Sequence, residues 1–426
     1  MMARPITVRS GRRTFRPVYA IALVAACAGD GPGTGANDLD AAPLLAFEEM
    51  LRIGSTDDPD YGFTAINGVD VDRDGNVYVF EGSESAFRVY SPDGELLRRF
   101  GGRGEGPGEF RSAPRFGILG DTIWAIESFG RRISLVRLDG TVISTAPIQA
   151  VTIPLHTNVG LVMPVAMRSD GLFTSDMTMF SSSRDMELNV AENDTVLIPR
   201  VLFNAGGMPV DTVGWMPHLP PDGAAPERVE VGDNRYNVPR PASDQPLSIT
   251  LPDGRIVIER PTAPSAEPAY FVFTRLDLAG DTIVSRAYTY RPRPFDNAAL
   301  DTRAWQSARR PGGGVRIIGG VPQPEPVPDD SIDAFNRIRG AMDFPAFQPP
   351  VQSHRVANDG DIWFMREEDG GSTQRWTIIR ADGAFGGTVT LDRGNYPIWM
   401  DSETFFLIER DEFDVQWLVR YRLQIE

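Results

Sequence analysis

The sequence predicts an all-β fold in which a short four-stranded sheet is repeated around a closed ring. Three observations lead there. Asp-Gly or Gly-Asp turns between short alternating apolar runs recur along the chain, in pairs about 20–25 residues apart. The last such unit lacks its fourth strand, and an orphan strand stands ahead of the first unit. The 426 residues are 41% hydrophobic and 23% charged, which are globular values, at a length that suits a repeat architecture or two domains.

Residues 1–26 carry Arg4, Arg9, Arg12, Arg13 and Arg16, no acid, and then the apolar run 18–26. A charged segment followed by a hydrophobic stretch too short to span a bilayer reads as a signal peptide. It ends Leu23-Val24-Ala25-Ala26-Cys27, which resembles a bacterial lipobox, and Cys27 is the only cysteine in the chain. The resemblance implies that Cys27 becomes the acylated N-terminus and that the partner at this end is a membrane, held through two or three acyl chains. Ala28 follows, where an aspartate would resemble an inner-membrane retention signal, so the outer membrane is the expected destination. Residues 27–45, rich in Gly, Ala and Asp, read as a flexible tether.

The folded region is expected over 46–426. The repeat is clearest at residues 68–100: strand 68–71, turn Asp74-Gly75, strand 77–80, strand 87–90, turn Asp93-Gly94, strand 96–100. Asp-Gly between alternating hydrophobics is a strong hairpin signal, read here as a turn with positive φ at both central residues. The turn pair returns at Gly120-Asp121 with Asp139-Gly140, Asp170-Gly171 with Asn193-Asp194, Asp253-Gly254 with Gly280-Asp281, and Asp359-Gly360 with Asp382-Gly383. A sixth unit opens at Asp401-Ser402 and ends after its third strand, 417–423. The orphan strand 47–53 fills that vacancy, so the prediction is a six-bladed β-propeller closed by its N-terminal strand, an arrangement that hides sheet edges. Two Pro- and Gly-rich insertions, 205–245 and 291–350, each follow a fourth strand, so both crown the same side of the disc. The second carries two helical patterns, 297–309 and 331–339.

The run Phe100-Gly-Gly-Arg-Gly-Glu-Gly-Pro-Gly-Glu-Phe110, with Pro114 and the strand Thr122-Ile-Trp-Ala-Ile126, resembles the inter-blade connection of NHL-type propellers. The chain is similar in this to bacterial six-bladed β-propeller lipoproteins. That resemblance implies the fold and a cell-envelope location, and says almost nothing about ligand.

Composition excludes several chemistries. A net charge of −16 argues against nucleic acid as a partner, since such binding rests on neutralising phosphates. The chain contains no lysine, which removes Schiff bases and the phosphate-loop lysine. Histidine occurs only at 156, 218 and 354, without a close pair, and no Gly-x-Ser-x-Gly elbow is present. The Gly-rich run 101–108 precedes a strand, not the helix N-terminus that a phosphate loop requires, and reads as a connector.

The candidate sites are these. Asp70-Val-Asp72-Arg-Asp74-Gly75 through Glu81 satisfies the EF-hand loop pattern, but its flanks are strand-like. The reading is a plain β-turn, with a structural calcium held by Asp70, Asp72 and Asp74 as the alternative; no other cofactor is expected. Asn67, Arg115 and His354 stand near the starts of innermost strands, at the channel rim. Gluconolactonase- and paraoxonase-like propellers place a calcium site of Glu, Asn and Asp there; here convergent carboxylates are missing and an arginine is included. Arg103, Arg111 and Arg115 read either as receivers of an anion or as partners of nearby carboxylates, the latter favoured. Trp215, His218 and Trp305, in the insertions, read as packing for a cap or as a ligand platform. The functional expectation is a non-catalytic envelope lipoprotein binding a protein, peptide or glycan through its insertion-capped face. The alternatives are a metal-dependent hydrolase or lyase, and a receptor-associated sensor.

Overall fold

The computed structural model describes residues 38–127, 131–154, 158–182, 196–218, 228–239, 246–259, 269–295, 297–309, 316–318, 321–323, 330–342, 346–367 and 372–424. The signal peptide, Cys27, His156 and the Asn193-Asp194 turn lie outside the described residues.

Six antiparallel sheets form six blades, each running from an inner to an outer strand. Blade one consists of Ile66–Val71, Val77–Glu81, Ala86–Tyr90 and Leu96–Gly101; blade two of Arg115–Leu119, Thr122–Glu127, Arg132–Arg137 and Val142–Pro147. Blade three consists of Asn158–Met167, Phe173–Ser182, Val196–Phe203 and Pro209–His218, with a short strand Val151–Pro154 added on its inner edge. Blade four is Leu247–Leu251, Gly254–Glu259, Ala269–Asp277 and Thr282–Tyr290. Blade five is Ser353–Val356, Ile362–Glu367, Thr373–Ile379 and Phe385–Asp392. Blade six takes Pro397–Met400, Thr404–Arg410 and Gln416–Gln424 from the C-terminal end, and Ala46–Ile53 from the N-terminal side.

The seam is as the sequence implied. Ala46–Ile53 pairs antiparallel with Gln416–Gln424, from Ala46 opposite Gln424 to Ile53 opposite Leu418, with one bulge between Glu49 and Leu51. Phe47 meets Phe405 and Tyr421 edge-on at 5.4 and 5.1 Å, and Ile53 is buried in the core shared by blades six and one.

Three local expectations are corrected. In the blade-one turn only Gly75 takes positive φ (84°), and Asp74 does not. The Asp72 carboxylate instead accepts from the Asp74 and Asn76 amides, making an Asx-supported turn that needs one left-handed residue rather than two. In blade three the outer hairpin turns at residues 204–208, where Gly207 (φ 72°) donates to Asn204 O, and not at Asn193-Asp194. Residues 209–218 are therefore the outer strand of the blade, and the first insertion begins after them. The tether is the third case. Leu39 is buried in the core of blades four and five, and Leu45 in that of blades five and six. Asp38 bridges Thr289, Asp40 accepts from Arg366 Nη1 (2.9 Å) and the Arg291 amide (2.7 Å), and Pro43 and Leu45 exchange backbone hydrogen bonds with Thr388. Residues 38–45 thus form a strap across three blades, because two leucines and a paired aspartate outweigh the polar composition around them.

Apolar clusters fill the gaps between blades one and two, two and three, four and five, five and six, and six and one. Between blades three and four, contacts among the described residues include Thr250 Oγ1 to Asp176, Arg200 Nη2 to Gly254 O, and Arg168 Nη1 to Pro252 O.

The insertions fold onto each other. Helices α1 (Asn297–Ala308) and α2 (Ser331–Ala341) from the second pack with the hairpin Arg228–Val231/Asn234–Asn237 from the first. Leu300, Ala304, Ala334, Ile338 and Tyr236 form their shared core. Asp330 stands at the N-cap of α2, but its carboxylate accepts from the Tyr236 hydroxyl (2.6 Å) and from Asn234 rather than from helix amides.

Candidate ligand-binding face

Inner strands all start on one side of the disc, and both insertions leave and re-enter on that side. Asn67 and His354 are the second residues of their inner strands, in blades one and five, and Arg115 is the first in blade two. Asn67 and Arg115 are exposed, and His354 is half-buried. Asn67 lies over Gly82, where an added Cβ would stand 1.7 Å from its Oδ1. Beside His354, Arg355 reaches across to blade six: its Nε donates to Pro397 O (3.2 Å), and its guanidinium lies 5.8 Å from the Tyr396 ring centroid. Among the described residues no group of three His, Cys, Asp or Glu side chains converges, at this rim or elsewhere.

The carboxylates nearest the rim hold the frame. Glu81 ends the second strand of blade one, is fully buried, and accepts from the Ala65 and Ser83 amides and the Ser83 hydroxyl. Glu127 ends the second strand of blade two. It accepts from the Arg111 amide (2.7 Å), the Ser112 amide (3.1 Å) and Arg132 Nε (2.8 Å). In both blades the acid caps the backbone of the connection arriving from the previous blade. The signal was present as Phe80-Glu81 and Ile126-Glu127, a glutamate closing each apolar second strand. Arg111 pairs with Glu105, so at least this arginine of the connector is matched by a carboxylate.

The three aspartates of the EF-like match go separate ways. Asp70 is buried near the far end of the inner strand. Its Oδ1 accepts from Asn358 Nδ2, Trp399 Nε1 and the Val71 amide, each at 2.8 Å, and its Oδ2 from the Ile118 amide at 2.7 Å. Burial raises its pKa above the ordinary aspartate value, against the lowering by Asn358, Val71, Trp399 and Ile118. Asp72 binds the turn amides, Asn76 Nδ2 and the Tyr78 hydroxyl. Asp74 is exposed at the turn tip. The oxygens of Asp70 and Asp72 are occupied by N–H and O–H donors and aimed at different partners, which suits a clasp and a turn rather than a shared cation. Sequence reasoning missed Asp70 as a clasp joining blades one, two, five and six.

The insertion aromatics divide. Trp305 stacks on Phe335 at 4.3 Å between centroids, inside the cap. Trp215 and His218 are placed elsewhere than expected: they sit on the outer strand of blade three, opposite Pro199 and Val196, and Trp215 is 46% exposed. Burial pushes the Tyr236 hydroxyl up to about 12, with Asp330 adding to the effect. That hydroxyl stays protonated and ties the hairpin to α2.

No protein family and no curated protein sequence matches the chain. Among solved structures it is similar to an exported protein from Bacteroides fragilis, at 10% identity over 92% of this chain and 98% of that one, with a TM-score of 0.46. A member of the DUF4221 family from Bacteroides vulgatus gives 9% identity over 90% and 100%, TM-score 0.37. Virginiamycin B lyase from Staphylococcus aureus gives 11% identity over 88% and 99%, TM-score 0.34. Similarity this low carries no site residue across. No helix among the described residues is long and apolar enough to cross a membrane.

Proposed function

We propose that this protein is a non-catalytic cell-envelope lipoprotein, anchored through Cys27, whose propeller presents its insertion-capped face to a protein, peptide or glycan. The observation that supports this most is the cap itself. Insertions from two successive blades build one small core of two helices and a hairpin. A second support is the fate of the acids: Asp70, Glu81 and Glu127 are consumed in holding blades and connections together. A rigid disc bearing a structured set of loops suits recognition without chemistry. The lipobox supports the anchor, and Ala28 after Cys27 supports the outer membrane.

The test compares the mature protein with an Ile332→Asp variant, which alters a residue of α2 that is 64% exposed. One envelope partner captured by the first and lost by the second, with unchanged melting, is the expected result. Stoichiometric calcium or zinc in the purified protein, with hydrolytic or lyase activity lost on chelation, would sink the proposal in favour of a metalloenzyme. Palmitate labelling, abolished by Cys27→Ser, is expected for the anchor.

A further inference from the structure

A concave site lies outside the cap. A pocket of about 260 Å³ opens on blade two, walled by Pro107, Ala146 and Pro147 and lined by Glu105, Arg131 and Arg132. Its walls come from the inter-blade connection, from the start of the third strand and from the end of the fourth. It therefore opens on the same side of the disc as the insertions.

The two arginines differ. Arg132 is fixed: Nε donates to Glu127 (2.8 Å), Nη1 to Glu105 O (2.8 Å) and Nη2 to Glu109 O and Glu127. Its charge is matched by a buried carboxylate, and its side chain is only 13% exposed. The Glu105 carboxylate is itself engaged by Arg111. Arg131 is exposed, and no ion pair or hydrogen bond of its side chain occurs among the described residues. It also holds a left-handed backbone, φ 46°.

The blade requires that backbone but not that side chain. Arg131 O accepts from the Ile148 amide, fastening the end of the fourth strand; in blade one Ser85 (φ 56°) does the same, accepting from Gly102. Serine serves there, and glycine or asparagine would take the conformation with less strain. An arginine in this place spends backbone strain on a guanidinium that no carboxylate among the described residues pairs with. A single uncompensated cation beside prolines and an alanine suits a singly charged carboxylate on a small apolar body.

We propose that this pocket binds the C-terminal carboxylate of a peptide, with Arg131 receiving the charge and Pro107, Ala146 and Pro147 contacting the last residues. The pocket contains no cap residue, so the proposal stands or falls apart from the role given to the cap.

The test titrates the mature protein with N-acetyl-alanyl-alanine, its C-terminal amide and inorganic phosphate, by calorimetry at low ionic strength. The acid should bind at least about tenfold more tightly than either comparator, as a hydrogen-bonded charge is worth. Arg131→Asn suits the left-handed backbone; it should melt no lower than the parent and lose that preference. On the unmodified protein labelled with nitrogen-15 arginine, the acid and not the amide should shift the Arg131 Nε–H resonance. Equal binding of acid and amide, tighter binding of phosphate, no binding of the acid, or retained preference in Arg131→Asn would each overturn the assignment.

Discussion

Replacing Asp70 with alanine removes the acceptor from four donors at once: Asn358 Nδ2, Trp399 Nε1 and the amides of Val71 and Ile118. Each buried donor left unpaired costs about 1–3 kcal/mol. A water entering the gap recovers part of this, and the alanine escapes the cost of burying a charge, so the net loss is expected near 3 kcal/mol. Asp70→Asn keeps the shape but turns an NH₂ toward one of the donors, and should lose about 1–2 kcal/mol. The pH dependence has a definite sign. Because the folded-state pKa of Asp70 is raised above 3.8, the folded chain holds that proton more tightly than the unfolded chain. The contribution is present below the ordinary value and lost as pH rises through the raised one. The stability margin of the parent over Asp70→Asn should therefore narrow on going from acid towards neutral pH. Urea unfolding followed by tryptophan fluorescence across that range measures both effects. An alanine variant within 0.5 kcal/mol of the parent would refute the clasp, and a margin that widens with pH would refute the raised pKa of Asp70.

Four further outcomes are expected. Ile53→Ala, at a buried site in the seam, should cost about 2–5 kcal/mol in equilibrium unfolding. Deleting residues 46–53 should expose the outer edge of Gln416–Gln424 and produce oligomers in size-exclusion chromatography. Tyr236→Phe should weaken the cap by about 1–2 kcal/mol, seen as faster proteolysis within 228–239 and 297–342 while the blades stay resistant. Asp40 titrates low despite partial desolvation, because Arg366 and the Arg291 amide favour the carboxylate. Its contribution to the strap is present above the ordinary aspartate pKa and lost as pH falls through the lowered one, so hydrogen exchange in 38–45 should accelerate in acid.

The ring, the seam and the two helices were legible because they rest on local chemistry. Asp-Gly pairs set hairpins, and the apolar spacing of Ile332, Phe335 and Ile338 sets α2. The blade-three hairpin escaped because its turn, Asn204-Ala-Gly-Gly207, lacks the Asp-Gly pair, and its strands run longer than those of blade one. The strap escaped because Leu39 and Leu45 are two leucines in a segment of tether-like composition. What Asp70 does was illegible for a different reason. Two of its donors lie 288 and 329 residues away, so a local acidic pattern suggested a metal where the fold supplies amides and an indole. Arg131 stood out only once its backbone angle and the occupied neighbours of its pocket were known.

The strap across blades four to six has a mechanical corollary. A pull arriving through the chain ahead of Asp38 meets Leu39 and the Asp40–Arg366 pair before it reaches the paired strand Ala46–Ile53. Load would be shed at the outer circumference, where two leucines, one ionic contact and the backbone bonds to Thr388 can yield and re-form. The ring's closure would feel tension only after that fuse has given way.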